Sequence, residues 1–234
     1  MASSAASTAS PSTKRSRRLL ALGALACAAG VLLVWRGAHR GGDVTGLPFY
    51  ETADFTAEWI APAEPRYRSI HTIAPFSLVD QEGVVVSNET LRGKIYVANF
   101  FFTRCQDVCP RMAVGLRKVQ SAFRDDAAVV LVSHTVMPSV DSVETLRAYG
   151  AQNGVLPGKW HLVTGDKEVV YGLARRSYFV EKRLGVDKKS NELLHTENMV
   201  LVDRHGRIRG IYNATVILDA ERLIEDIRAL EPEP

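Results

Sequence analysis

The chain has 234 residues, 46% of them hydrophobic and 24% charged, which suits one compact domain with appendages and excludes a collagen-like, wholly disordered or disulfide-dense protein. Its formal charge of +3 misleads, because residues 1–40 hold six bases and no acid, leaving 23 bases against 26 acids for the rest. A nucleic-acid footprint is thereby disfavoured, since binding phosphate requires a basic face on the folded part.

In chain order, residues 1–18 form a Ser/Ala/Thr-rich leader that ends in Lys14, Arg15, Arg17 and Arg18. Leu19 to Trp35 follows as 17 residues without a polar side chain, about 25 Å of helix and the short end of a transmembrane span. The positive cluster ahead of it predicts a cytoplasmic N-terminus and an outward-facing remainder. A cleaved signal peptide, a lipoprotein signal at Cys27 and an organelle transit peptide are the rival readings. The uncleaved anchor is preferred because the apolar run continues eight residues past Cys27.

Residues 36–65 mix Gly, Pro and short aromatic patches without periodicity and read as a linker that becomes ordered near Phe55 to Ile60. Residues 66–234 form the domain. Phe76 to Asp80 and Val84 to Ser87 flank Gln-Glu-Gly, a hairpin signal, and Ile95 to Phe102 is an apolar run of buried-strand length. From Pro110, the residues Met112, Leu116, Val119 and Phe123 have helical spacing. Then come a strand at Ala128–Val132, a helix at Ser142–Tyr149, a strand at Trp160–Val163 and a helix at Glu168–Arg176. After a polar insertion from Glu181 to Asn191, strands at Asn198–Val202 and Ile208–Tyr212 pair through a turn, and a helix from Asp219 to Leu230 closes the chain. This order predicts a thioredoxin-like α/β fold, a mixed sheet with helices on both faces.

Cys105 and Cys109 fall where the buried strand turns into a helix. A helix N-terminus carries free N–H groups and positive potential, which favours thiolate in both cysteines, and Arg104 adds to it. Their i,i+4 spacing brings the Cα atoms to roughly 6 Å, within disulfide reach, so the pair can be a redox couple or a chelate. An inert disulfide is the bland alternative, yet so short a loop would constrain the unfolded chain little. Two sulfurs leave a metal shell incomplete, and an imidazole beside them suits copper or zinc. His39, His71, His161 and His205 have ordinary readings as solvated or satisfied histidines. His195 lies just before the strand Asn198–Val202, where oxidoreductases of this fold place a cis-proline. His134, at a parallel strand end that lines the ligand crevice of open sheets, is the second candidate, though a strand-end hydrogen bonder is its more ordinary role.

The segments Phe101-Phe102-Thr103-Arg104-Cys105-Gln106-Asp107-Val108-Cys109-Pro110, Gly165-Asp166, and His195-Thr196 leading to Val200-Leu201-Val202-Asp203 and Gly206 resemble the Sco/SenC family of membrane-anchored copper-binding proteins, over roughly Ala74 to Leu230. The resemblance implies one copper ion (Cu+ or Cu2+) held by Cys105, Cys109 and His195. It also implies a copper donor protein upstream and, as acceptor, the cytochrome c oxidase subunit with the dinuclear copper site. The anchor would then sit in the cytoplasmic membrane with the domain in the periplasm, a mitochondrial inner membrane being the alternative. Some members look like thiol–disulfide reductases, and in that reading Cys105 attacks and Cys109 resolves. A peroxidase is a weaker third reading. Three departures stand out: Gln106 replaces the usual Pro, Leu194 replaces an Asp that would orient the imidazole, and Ser133 to Pro138 with Asp141 replaces a shorter Ser-Val-Asp-Pro stretch. Asp107 and Met137 are further residues able to approach oxidised copper, with default roles as a first-turn acid and a packed apolar side chain.

Overall fold

The computed structural model describes residues 46–180 and 196–233. The leader, the apolar run at 19–35 and the polar insertion lie outside these. Among the described residues no helix is long and apolar enough to cross a membrane.

The chain enters through a two-stranded pair, β1 (Phe49–Tyr50) and β2 (Ala57–Glu58), and a 3-10 turn at Pro65–Ser69. β3 (Ser77–Val79) and β4 (Val85–Ser87) form the expected hairpin, followed by a single turn, α1 (Asn88–Leu91), capped by Ser87. Then come β5 (Ile95–Phe101), α2 (Val108–Ala122), β6 (Val129–Thr135), α3 (Val143–Gln152), β7 (Trp160–Val163) and α4 (Lys167–Gly172). β8 (Asn198–Val202), β9 (Ile208–Asn213) and α5 (Ile217–Leu230) complete it. The main sheet has the order β7-β6-β5-β8-β9. β5, β6 and β7 run parallel, whereas β8 and β9 are antiparallel additions on the other side of β5.

Every residue of β5 is buried, because both sheet faces are covered and its side chains alternate between two cores. Ile95, Val97 and Phe101 pack with Met112, Leu116 and Val119 of α2, Leu146 of α3 and Leu223 and Ile227 of α5. Tyr96, Ala98 and Phe100 pack on the other face with Phe76, Leu78 and Val86 of the hairpin region and Val170 and Tyr171 of α4. The helices thus divide between the two faces, as the alternation of elements predicts.

Three local differences from the sequence reading have physical causes. β6 continues through Ser133, His134 and Thr135 because its polar groups find partners inside the fold: Ser133 bonds Asn99 and receives the Trp160 indole N–H at 2.7 Å, and Thr135 bonds Asp141. The helix expected through Arg176 stays regular only to Gly172, then widens into a π turn over Leu173–Ser177. The compact unit starts at Gly46, so the fold takes in most of the segment read as linker. Phe49 and Ile60 there are buried with Ile70. The guanidiniums of Arg207 and Arg209 lie 5.0 and 4.3 Å from the Phe49 ring centre, and Arg209 also donates to the Leu47 carbonyl at 2.7 Å. Asp203 accepts from both arginines, at 2.7 and 3.3 Å. Cation–π stacking on single aromatics leaves no periodic trace in a sequence.

Candidate metal centre

β5 delivers the chain to the edge of the sheet at Phe101, and a tight turn closes with the Cys105 N–H donating to the Phe102 carbonyl at 3.2 Å. α2 then begins at Val108. Its N-cap position is Asp107, whose side chain makes no capping bond. The Cys105 sulfur takes that role, accepting the Cys109 N–H at 3.3 Å. One of the orphan donors of a helix N-terminus is thereby satisfied by a thiol sulfur.

Both thiols are free, but they are not alike. Cys105 is half-buried, and that burial alone would raise its pKa. The Cys109 thiol and the backbone N–H groups of Cys109, Asp107 and Val108 outweigh it and bring the Cys105 thiol below its ordinary value. Arg104 is exposed and is not among those causes. Cys109 is buried, and burial first, then its bond to Cys105, pushes its thiol up to about 12. The expectation that the helix end activates both sulfurs is therefore corrected: it acts on the sulfur lying beyond it, while the other stands within the first turn against the core. With iodoacetamide at pH 7 to 8, the reduced protein should carry one label, on Cys105, as read by peptide mass spectrometry. Labelling of Cys109 first would contradict the assignment.

Asp141 ties this turn to the rest of the fold. Its buried carboxylate accepts the Thr103 N–H at 3.2 Å, the Thr103 hydroxyl and the Thr135 hydroxyl. Thr135 in turn accepts the Met137 N–H at 3.0 Å. The longer stretch after β6 thus supplies a brace rather than a further donor pointing at the sulfurs. Sequence reasoning also passed over Tyr149 on α3. It packs with Cys105 against the core edge that holds Cys109, its ring 5.3 Å from that of Phe101. Burial, followed by the nearness of the two titratable cysteine sulfurs, pushes its hydroxyl up to about 12. The helical spacing of Leu146 and Tyr149 was the available signal.

Of the remaining candidates, His195 lies outside the described residues. His134 is turned to the opposite face of the sheet, stacked on Phe100 at 5.0 Å and near Phe76 and Tyr178. Its Nδ1 lies 3.4 Å from the Asn99 carbonyl, and Nε2 has no hydrogen-bond partner among the described residues. Met137 packs against that same second core, and Asp107 is exposed. His71 bonds the Ser177 carbonyl and His161 bonds Asp80, both at 2.8 Å. His205 is exposed in the β8–β9 turn. Among the described residues no three His, Cys, Asp or Glu side chains are grouped to hold a metal.

Burial lowers the His134 imidazole from its ordinary 6.5 to about 4. The folded state thus resists a proton that the unfolded chain accepts. The stability from this site is fully present above pH 6.5 and is lost as pH falls towards 4, by about 3 kcal/mol in all. His134→Phe should flatten that acid limb in urea titrations at several pH values; an unchanged slope would show that other groups govern it.

A thioredoxin-like sheet with a strand-to-helix turn carrying paired, unequal thiols defines a class of redox and metal-handling proteins. The SCO1/SenC family model matches residues 65–231, and the chain belongs to that family. The "SCO1 protein homolog" of Bacillus subtilis is 26% identical over 163 residues, 68% of this chain and 82% of the relative. A SCO1/SenC family lipoprotein from Bacillus anthracis superposes with a TM-score of 0.60 at 28% identity, covering 68% of this chain and 95% of the other. Bradyrhizobium japonicum ScoI, solved with copper bound, superposes with a TM-score of 0.54 at 26% identity, over 68% and 99% of the two chains.

Proposed function

We propose that this protein is a membrane-anchored copper carrier that binds one ion through Cys105, Cys109 and His195 and delivers it to the dinuclear copper site of cytochrome c oxidase. The observation that carries the reading is the convergence of two free sulfurs on one helix end, with the Cys109 N–H 3.3 Å from the Cys105 sulfur. Two soft donors placed together suit Cu(I), and His195 would complete a three-coordinate shell. So low a coordination number leaves the ion open to attack by an acceptor's ligands. Family membership and the copper-bound Bradyrhizobium relative support copper as the cargo. The apolar run at 19–35 supports an anchor in the cytoplasmic membrane, with the domain on the outer side. A separate protein would supply the copper. Titrating Cu(I) against a competing chelator into the reduced protein should end at one ion per chain. Failure to compete for even a fraction of an equivalent would refute the reading.

The inequality of the thiols favours a second reading. An acidic, accessible Cys105 beside a buried, protonated Cys109 is the arrangement of an attacking and a resolving thiol. In that case the protein reduces a disulfide on the acceptor, its own pair becoming oxidised. Reduction of a disulfide-bonded acceptor by protein lacking copper, abolished in Cys105→Ser and intact in His195→Ala, would establish the reductase; the reverse pattern would exclude it.

A further inference from the structure

Close to the cysteine turn, four aliphatic side chains stand in solvent: Val114, Val216, Ile217 and Leu218, exposed by 45, 42, 44 and 54%. Val114 follows Cys109 by five residues on α2, about 7.5 Å along the axis. The packing of α2 against α5 sets these residues side by side. Gly115 presses against the Ala214 carbonyl with no room for a side chain. One turn beyond Val114, Lys118 forms an ion pair with Glu221, itself one turn beyond Ile217. Val114 and Ile217 therefore occupy the preceding turns of one seam, with Val216 and Leu218 beside them. Contiguous exposed aliphatics of this kind mark surfaces that another molecule covers.

The charges next to the patch indicate its chemistry. Among the described residues, exposed bases occur both paired with carboxylates, as Arg66, Arg92 and Arg222 are, and without an ion pair, as Arg68 and Arg124 are. Arg111, one turn before Val114, and Arg104, beside Cys105, are exposed and form no ion pair among the described residues, so this face carries two bases open to an incoming carboxylate. Asp107 is the exposed acid of the same rim. A second copy of the chain would match this face poorly, since among the described residues it brings the same two bases against the single carboxylate of Asp107.

We propose that Val114, Val216, Ile217 and Leu218, flanked by Arg104 and Arg111, form the face on which the acceptor protein docks, and that the acceptor presents an apolar contact edged with carboxylates. The proposal rests on the carrier or reductase reading, and its test keeps the two apart. The full chain in detergent is compared with Val114→Ser/Leu218→Ser and with Arg111→Glu. The probe is the soluble copper-site domain of the oxidase subunit in its copper-free form, and both its binding and the rate of copper transfer or disulfide exchange are measured. Each variant should weaken binding and slow the bimolecular rate by about tenfold, with wild-type association slowing as salt rises. Reaction with a small aromatic disulfide and copper affinity should stay within about twofold of wild type. Wild-type binding without transfer or exchange would overturn the functional reading and leave the docking face standing. Equal binding by wild type and variants, no binding by wild type, or a wild-type dimer dissolved by the double variant would each overturn the face.

Discussion

Changing Cys105 or Cys109 to serine, or His195 to alanine, is expected to lower copper affinity by more than about 100-fold, beyond what the loss of a residue that merely orients a ligand costs. Each substitution removes one of the three donors of the proposed site, and a hydroxyl is a poor substitute for thiolate toward a soft ion. Chelator competition read by copper-to-thiolate absorbance would measure it. Full wild-type affinity in His195→Ala would refute the three-donor site. The pH dependence follows from the unequal thiols. Cys109 is held as a thiol up to about 12 by burial, so at neutral pH a metal must displace its proton. Affinity should therefore rise with pH throughout the neutral range, and binding should release at least one proton. Calorimetry in two buffers of different ionisation enthalpy would count it.

The second large effect concerns stability and needs no metal. Asp141→Ala should cost about 2 to 4 kcal/mol, because it strands the buried Thr135 hydroxyl and removes the acceptor of the half-buried Thr103 N–H and hydroxyl. The loss should show in urea unfolding, and the Thr103 amide should exchange its hydrogen faster than in wild type. Asp141→Asn keeps acceptor capacity on one oxygen and should fall between. The cysteine turn hangs from this carboxylate, so the alkylation rate of Cys105 should change alongside. A variant as stable as wild type would show that the brace is not what holds the turn.

Much of this molecule is written in local pattern. Ile95–Phe101 is apolar without interruption, and a strand buried on both faces needs that. Met112, Leu116 and Val119 recur at helical spacing, and Asp203 to Gly206 supplies a turn whose Gly206 adopts a φ of 78°. The Cys105/Cys109 pair is equally visible, because its position between an apolar strand and a helix depends on neighbours in the chain. Asp141 is legible in the sequence only as a residue near the site. Its role depends on Thr103, 38 residues earlier, and no periodicity links the two. The segment from Gly46 to Pro65 escaped for a similar reason, since its anchors are Arg207 and Arg209 far downstream.

The sequence alone determined the order of the main-sheet strands and the longer helices, the covering of both sheet faces and the place of the cysteine pair, because these follow from side-chain periodicity and from residues adjacent in the chain. Only the tertiary structure decided which thiol is acidic, which carboxylate braces the turn, and that His134 faces away from the sulfurs. Those outcomes depend on burial and on hydrogen bonds between residues distant in sequence, and both come into being only when the chain has folded.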